Sequence, residues 1–70
     1  MEPEERFSAN LRRLRAEKGL SQEELAGRAD LHASEISRLE RGVREPRLGT
    51  LARLARALGV PVGELVSGIE

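Results

Sequence analysis

The feature that most limits what this chain can become is the regular interruption of its apolar residues. They recur at helical intervals in five short runs, and glycine or proline cuts each run off before the next begins, except the second, which breaks at Asp30 to His32. No stretch alternates β-branched or aromatic residues as a half-buried strand does, so the expected class is all-α. The first helix is expected from about Pro3 or Glu4 to Lys18, with Phe7, Leu11 and Leu14 on one face and Gly19 as its left-handed stop. The second opens at Ser21, which with Glu24 matches the S-x-x-E capping box, and turns Leu25, Ala26 and Ala29 inward. A tight connection, Asp30 to His32 with Leu31 as its buried plug, leads to a third helix from Ala33 to Arg41, stopped by Gly42. Pro46 lacks an amide proton and forces Glu45 towards extended backbone, which makes "VREPR" a loop. The fourth helix is expected over about Leu48 to Leu58, with Leu51, Leu54, Ala55 and Leu58 inward and Gly59 at its end. The fifth begins at or just after Pro61 and carries Val62, Leu65, Val66 and Ile69.

Seventy residues allow one compact domain, here residues 1–70 with a core inside 6–67. That size lies near the lower limit for a core that is stable without a metal, a disulfide or a second copy. With no cysteine, disulfides, thiolate zinc sites and cysteine nucleophiles are all excluded. A lone histidine, His32, has no companion ligands, so neither a metal nor any other cofactor is expected. Without a Gly-rich phosphate loop after a strand, or a cleft-sized core, the chain reads as a non-enzyme. No apolar run is long enough to cross a bilayer, and the acidic start "MEPEERFSAN" is no export signal, so a cytoplasmic protein that avoids membranes is expected.

Two charges fall on the wrong side of their helices. Arg15 follows Leu11 by four residues and Phe7 by eight, and Glu40 follows Ile36 by four, so both point towards the core. Burying either alone is expensive, and a mutual ion pair between the first helix and the end of the third resolves both. The alternative is that each side chain sits at the edge of its stripe and reaches out to water.

Net charge is zero, yet its distribution is uneven. Between Arg38 and Arg56 there are six arginines against Glu40 and Glu45, while the acids gather at residues 2 to 5 and 23 to 24. Arginine carries the planar fork that fits phosphates and guanine edges.

The segment "LSQEELAGRADLHASEISRLERGVREPRLGTLARLARALGVPVGELV", Leu20 to Val66, resembles the XRE family of helix-turn-helix domains, the type found in phage Cro and repressor proteins. The resemblance rests on an ordered set: Leu20 to Ala26, then Ile36-Ser37-x-Leu39-Glu40-x-Gly42, then Pro46, then Leu54-Ala55-x-x-Leu58-Gly59-Val60 and Leu65. It implies a compact five-helix, lambda-repressor-like DNA-binding domain, in which helices two and three form the helix-turn-helix and helix three lies in the major groove. It also implies that Arg15 and Glu40 pair. The chain departs from the family with Asp30 for a turn glycine, His32 for a serine or threonine cap, and Arg47 and Pro61 where polar caps are usual.

With Ile36, Leu39 and Glu40 inward, helix three presents Ser34, Arg38 and Arg41 outward, Ser37 on a flank and Ala33 at the tip. Ala33, Ser34, Ser37 and Arg38 are therefore the candidate base readers, Arg38 foremost through a bidentate contact to guanine, with phosphate as its alternative target. Arg41 can serve either role. Gln22 opens helix two, and the resemblance makes it a phosphate anchor; Arg44 and Arg47 match the family's second backbone-contacting segment. Arg53 and Arg56 are expected as solvated charges on the outer face of helix four.

These assignments lead to a sequence-specific, double-stranded-DNA-binding transcriptional regulator, a repressor or controller acting as a homodimer on a palindromic operator. One short helix buries too little surface for operator affinity, and a second copy about one DNA turn away, roughly 34 Å, doubles the readout. Val62, Leu65, Val66 and Ile69 are the expected dimer contacts, unless they merely close the monomer's core. As the sequence ends at Glu70, control is expected from protein concentration or a partner, not from a sensing domain. The rival reading is a protein-interaction module of the same fold, such as an antitoxin-like partner.

Overall fold

The computed structural model describes all residues from Met1 to Glu70 and is entirely helical: α1 (Pro3–Glu17), α2 (Gln22–Ala29), α3 (Ala33–Glu40), α4 (Leu48–Leu58) and α5 (Val62–Leu65). The helices α2 and α3 pack on each other, α1 closes over α3 and α5, and α4 lies against α2 and α5. Phe7, Leu11, Leu25, Ile36, Leu54 and Leu65 are fully buried where these faces meet, so every helix contributes at least one side chain to a single core. None of the helices is long and apolar enough to cross a membrane.

Local chemistry explains most boundaries. At the start of α2 the Ser21 hydroxyl accepts the Glu24 amide at 2.9 Å while the Glu24 carboxylate accepts the Ser21 amide at 2.8 Å, a reciprocal cap that satisfies two otherwise free donors. The other end of α2 stops at Asp30, in the left-handed region with φ 57°, the one residue other than glycine with positive φ. A short polar side chain makes that geometry tolerable where a β-branched one would not. The cap of α3 is half of a capping box: the Glu35 carboxylate accepts the His32 amide at 3.0 Å, while the His32 side chain makes no bond to the first-turn amides. Gly59 ends α4 with φ 70°.

The fifth helix is shorter than its apolar spacing suggests, four residues with Val66 already leaving helical geometry. What holds the end of the chain is not periodicity but Asn10. Its buried side-chain amide donates to the carbonyls of Leu65 and Ser67, both at 2.9 Å, pinning the exit of α5 to α1. The carbonyls at a helix C-terminus have no partners within the helix, and a buried amide with two donors is suited to take two of them.

Candidate nucleic-acid interface

The interface is built from α3 outward. Ile36, Leu39 and Glu40 are buried, whereas Ser34, Arg38 and Arg41 are exposed on the opposite side and Ser37 sits between. Ala33 does not stand free at the tip: it is half-buried against the core, because it precedes Ile36 by one helical turn and shares the edge of that stripe. Ser34 is the exposed residue of the first turn.

The inner side of α3 is bolted down by charge. Arg15 Nε donates to Glu40 Oε2 at 2.5 Å and its Nη2 donates to Glu40 Oε1 at 3.0 Å, a bidentate pair between α1 and the last residue of α3. A third nitrogen of Arg15 donates to the Leu20 carbonyl at 2.9 Å. Arg12, one turn earlier on α1, donates to the Glu40 carbonyl, placing a cation on the negative end of the α3 dipole. Gln22, expected to hold phosphate, instead turns its side chain inward, and its Nε2 donates to Glu40 Oε1 at 3.0 Å. The cause is the acceptor capacity of a buried carboxylate, about four lone-pair sites, which a single guanidinium does not exhaust.

Burial disfavours the charge on Glu40, but the hydrogen bonds from Arg15 and Gln22 outweigh it and hold the carboxyl below its ordinary range. The same pairing raises Arg15 above its ordinary value against a smaller cost of desolvation. A carboxylate depressed in the folded state stabilises the fold above its unfolded pKa, and that contribution is lost as pH falls through the lower, folded value. Thermal melts should therefore show a falling Tm as pH drops below the ordinary glutamate range. Glu40→Gln should melt lower at neutral pH and lose less on acidification; a parallel acid loss in both proteins would assign the effect to other carboxylates.

Beside α3, the loop after Gly42 and the start of α4 form a shallow concavity of about 400 Å³. Arg38, Arg44, Arg47 and Arg53 line it, opposed by Glu35 and Glu45, so cations outnumber anions two to one. Arg44 and Arg47 are exposed, and Arg47 precedes α4 without capping its first-turn amides. Arg53 is not the free surface charge expected of it. It is half-buried, and its Nη1 donates to the Asp30 carbonyl in the α2–α3 turn at 3.1 Å.

On the far side, Leu65 is 0% exposed and cannot take part in a contact between copies. A helix of four residues must commit its most inward side chain to its own core. Val62 is 40% exposed, Val66 and Ile69 are half-buried, and Leu48, 84% exposed at the first position of α4, is the most exposed leucine in the chain.

Known proteins place this arrangement. The model of the helix-turn-helix family matches residues 11–65. The HTH-type transcriptional regulator y4dJ of Sinorhizobium fredii is 51% identical over 84% of this chain and 77% of its own length. The CTXphi transcriptional repressor RstR of Vibrio cholerae is 41% identical over 91% of this chain, which spans 58% of that protein. Among solved structures, the restriction-modification controller protein C.AhdI of Aeromonas hydrophila superposes with a TM-score of 0.86 at 42% identity, covering 89% of this chain and 94% of that one. With its bolted α3, its uncovered arginine side and these likenesses, the chain belongs to the XRE-type helix-turn-helix family.

Proposed function

We propose that this chain is a sequence-specific, double-stranded-DNA-binding regulator of transcription that acts as a homodimer on a palindromic operator, as a repressor or controller. The observation that carries the reading is the two-sidedness of α3: Ile36, Leu39 and Glu40 are held inside while Ser34, Arg38 and Arg41 stand uncovered. A rod fixed on one side and cationic on the other can enter a major groove without rearranging. In this reading Arg38, with Ser34 and Ser37, reads bases, and Ala33 contributes at most the edge of its methyl. Arg44, Arg47 and Arg41 take phosphates, helped by the uncapped amides of α4. Gln22 acts through Glu40 rather than through DNA.

The homodimer is supported by the exposed Val62 with the half-buried Val66 and Ile69 at and after α5, and by Leu48, exposed at the first position of α4. Selection from a randomised duplex library, read at several salt concentrations, tests the function. The expected result is a palindromic site whose affinity falls steeply with salt. Selection of no sequence, with a protein co-purifying instead, would establish the rival interaction module. Sedimentation tests the assembly: Leu48→Glu should shift the protein to monomer with little change in Tm, because Leu48 makes little contact within its own chain. A variant that stays dimeric would move the interface away from Leu48.

A further inference from the structure

We infer that Arg53 is a positioning residue for the base-reading helix, fixing the α2–α3 turn against α4. The inference rests on the DNA-binding reading for its consequence, but not for its geometry.

Three guanidinium groups from outside the helix-turn-helix grip it. Arg12 and Arg15 of α1 hold Glu40, at the C-terminal end of α3. Arg53 of α4 holds the Asp30 carbonyl, just ahead of the N-terminal end. Ile36 and Leu39 seat the middle of α3 in the core and the pair at Glu40 fixes its C-terminal end, which leaves the approach of its N-terminal end to the α2–α3 turn. The clamp on Asp30 fixes that approach, and it falls on the residue that carries left-handed backbone at φ 57°. A cation there also faces the C-terminal end of the α2 dipole, where the Asp30 and Leu31 amides already close the last turn onto Ala26 and Gly27.

The same arginine lines the concavity shared by Arg38, Arg44 and Arg47. One side chain on α4 thus joins the turn that sets the angle of α3 to the wall that holds the phosphate-facing arginines. Phosphate contacts fix a protein's register on duplex DNA, and base contacts specify sequence. A brace between the two groups makes correct phosphate seating and correct base reading mutually dependent. Loss of the brace should therefore cost discrimination more than it costs adhesion.

Two readouts test this on Arg53→Ala. Amide hydrogen exchange needs no DNA: exchange at Leu31 and through the first turn of α3 should quicken while the slowest core amides of α1 keep their protection. Unchanged exchange at Leu31 would overturn the brace, and so would acceleration spread evenly over all helices. The second readout uses a duplex selected by the wild-type protein and a scrambled duplex of equal length. The affinity ratio between them should fall about threefold to tenfold, the scale of one lost hydrogen bond. The slope of log affinity against log salt should stay unchanged, and Arg53→Lys should recover part of the ratio. A slope shallower by about 0.9 with the ratio intact would make Arg53 a plain phosphate contact and end the inference. If the wild-type protein selects no duplex, the functional reading fails, and exchange at Leu31 still decides the brace.

Discussion

Glu40→Ala is expected to lower stability by about 3–5 kcal/mol, the usual result of removing one member of a buried pair. The carboxylate is 5% exposed and receives two nitrogens of Arg15 and the amide of Gln22. Its removal strands both donors at the junction of α1, α2 and α3. The Arg15 side chain is 22% exposed and keeps its bond to the Leu20 carbonyl, so partial rehydration places the expected loss towards the lower end of that range. Against a total of roughly 3.5–10 kcal/mol for a chain of this length, even the lower end is a large share. Urea denaturation measures it directly, and a midpoint shift worth a few tenths of a kcal/mol would show the pair to be energetically idle. A companion protein separates the pair's own value from the cost of orphaning: Arg15→Met with Glu40→Leu should recover most of the loss, because apolar replacement of both partners is often near neutral. If that double variant folds but binds DNA poorly, the pair serves the orientation of α3 more than its stability.

How much of this was legible in the sequence depends on the range of each interaction. The span of α4 from Leu48 to Leu58, its stop at Gly59 and the reciprocal cap of Ser21 with Glu24 are set by neighbours within a turn, and pattern alone locates them. The approach of Arg15 to Glu40 spans 25 residues and was still readable, because two charges on two apolar stripes have few cheap solutions. Asn10 offered a similar signal, a polar residue one turn from Phe7 and Leu14 on a buried face, but its partners are backbone carbonyls 55 and 57 residues away that no pattern marks. Arg12 and Arg53 likewise end on carbonyls. Every residue has one, so charge patterning cannot say which an arginine will reach. Leu65 illustrates the converse: an apolar residue near the C-terminus suits a core or an interface equally well, and only its complete burial decides. Gln22, a phosphate anchor by resemblance, also bonds the Glu40 carboxylate, its amide being drawn to spare acceptor capacity that exists only once Glu40 is buried.

Arg38→Ala should weaken binding to a selected palindrome by about 1–3 kcal/mol per half-site, and by roughly twice that for the dimer if the two sites act independently. The size follows from the contact proposed for it, a planar fork meeting two acceptors on one guanine edge, where a wrong base leaves a donor unpaired. Arg38 lies on the uncovered side of α3 and also lines the concavity with Arg44 and Arg47, so geometry alone allows either a base or a phosphate as its target. The two targets differ in what they leave behind. A lost phosphate contact weakens every duplex alike and flattens the salt dependence by about 0.9, whereas a lost base contact spares the slope and erases preference at one position in each half-site. Repeating the library selection with Arg38→Ala separates them: the palindrome should return with one symmetric pair of positions randomised and the rest intact. Arg44→Ala serves as the contrast, since it should keep the full consensus while losing affinity and salt slope together. Were Arg38→Ala to behave like Arg44→Ala, base reading would pass to Ser34 and Ser37, and the small side chains of the first turn would then have to specify the operator through a closer approach of α3 to the groove floor.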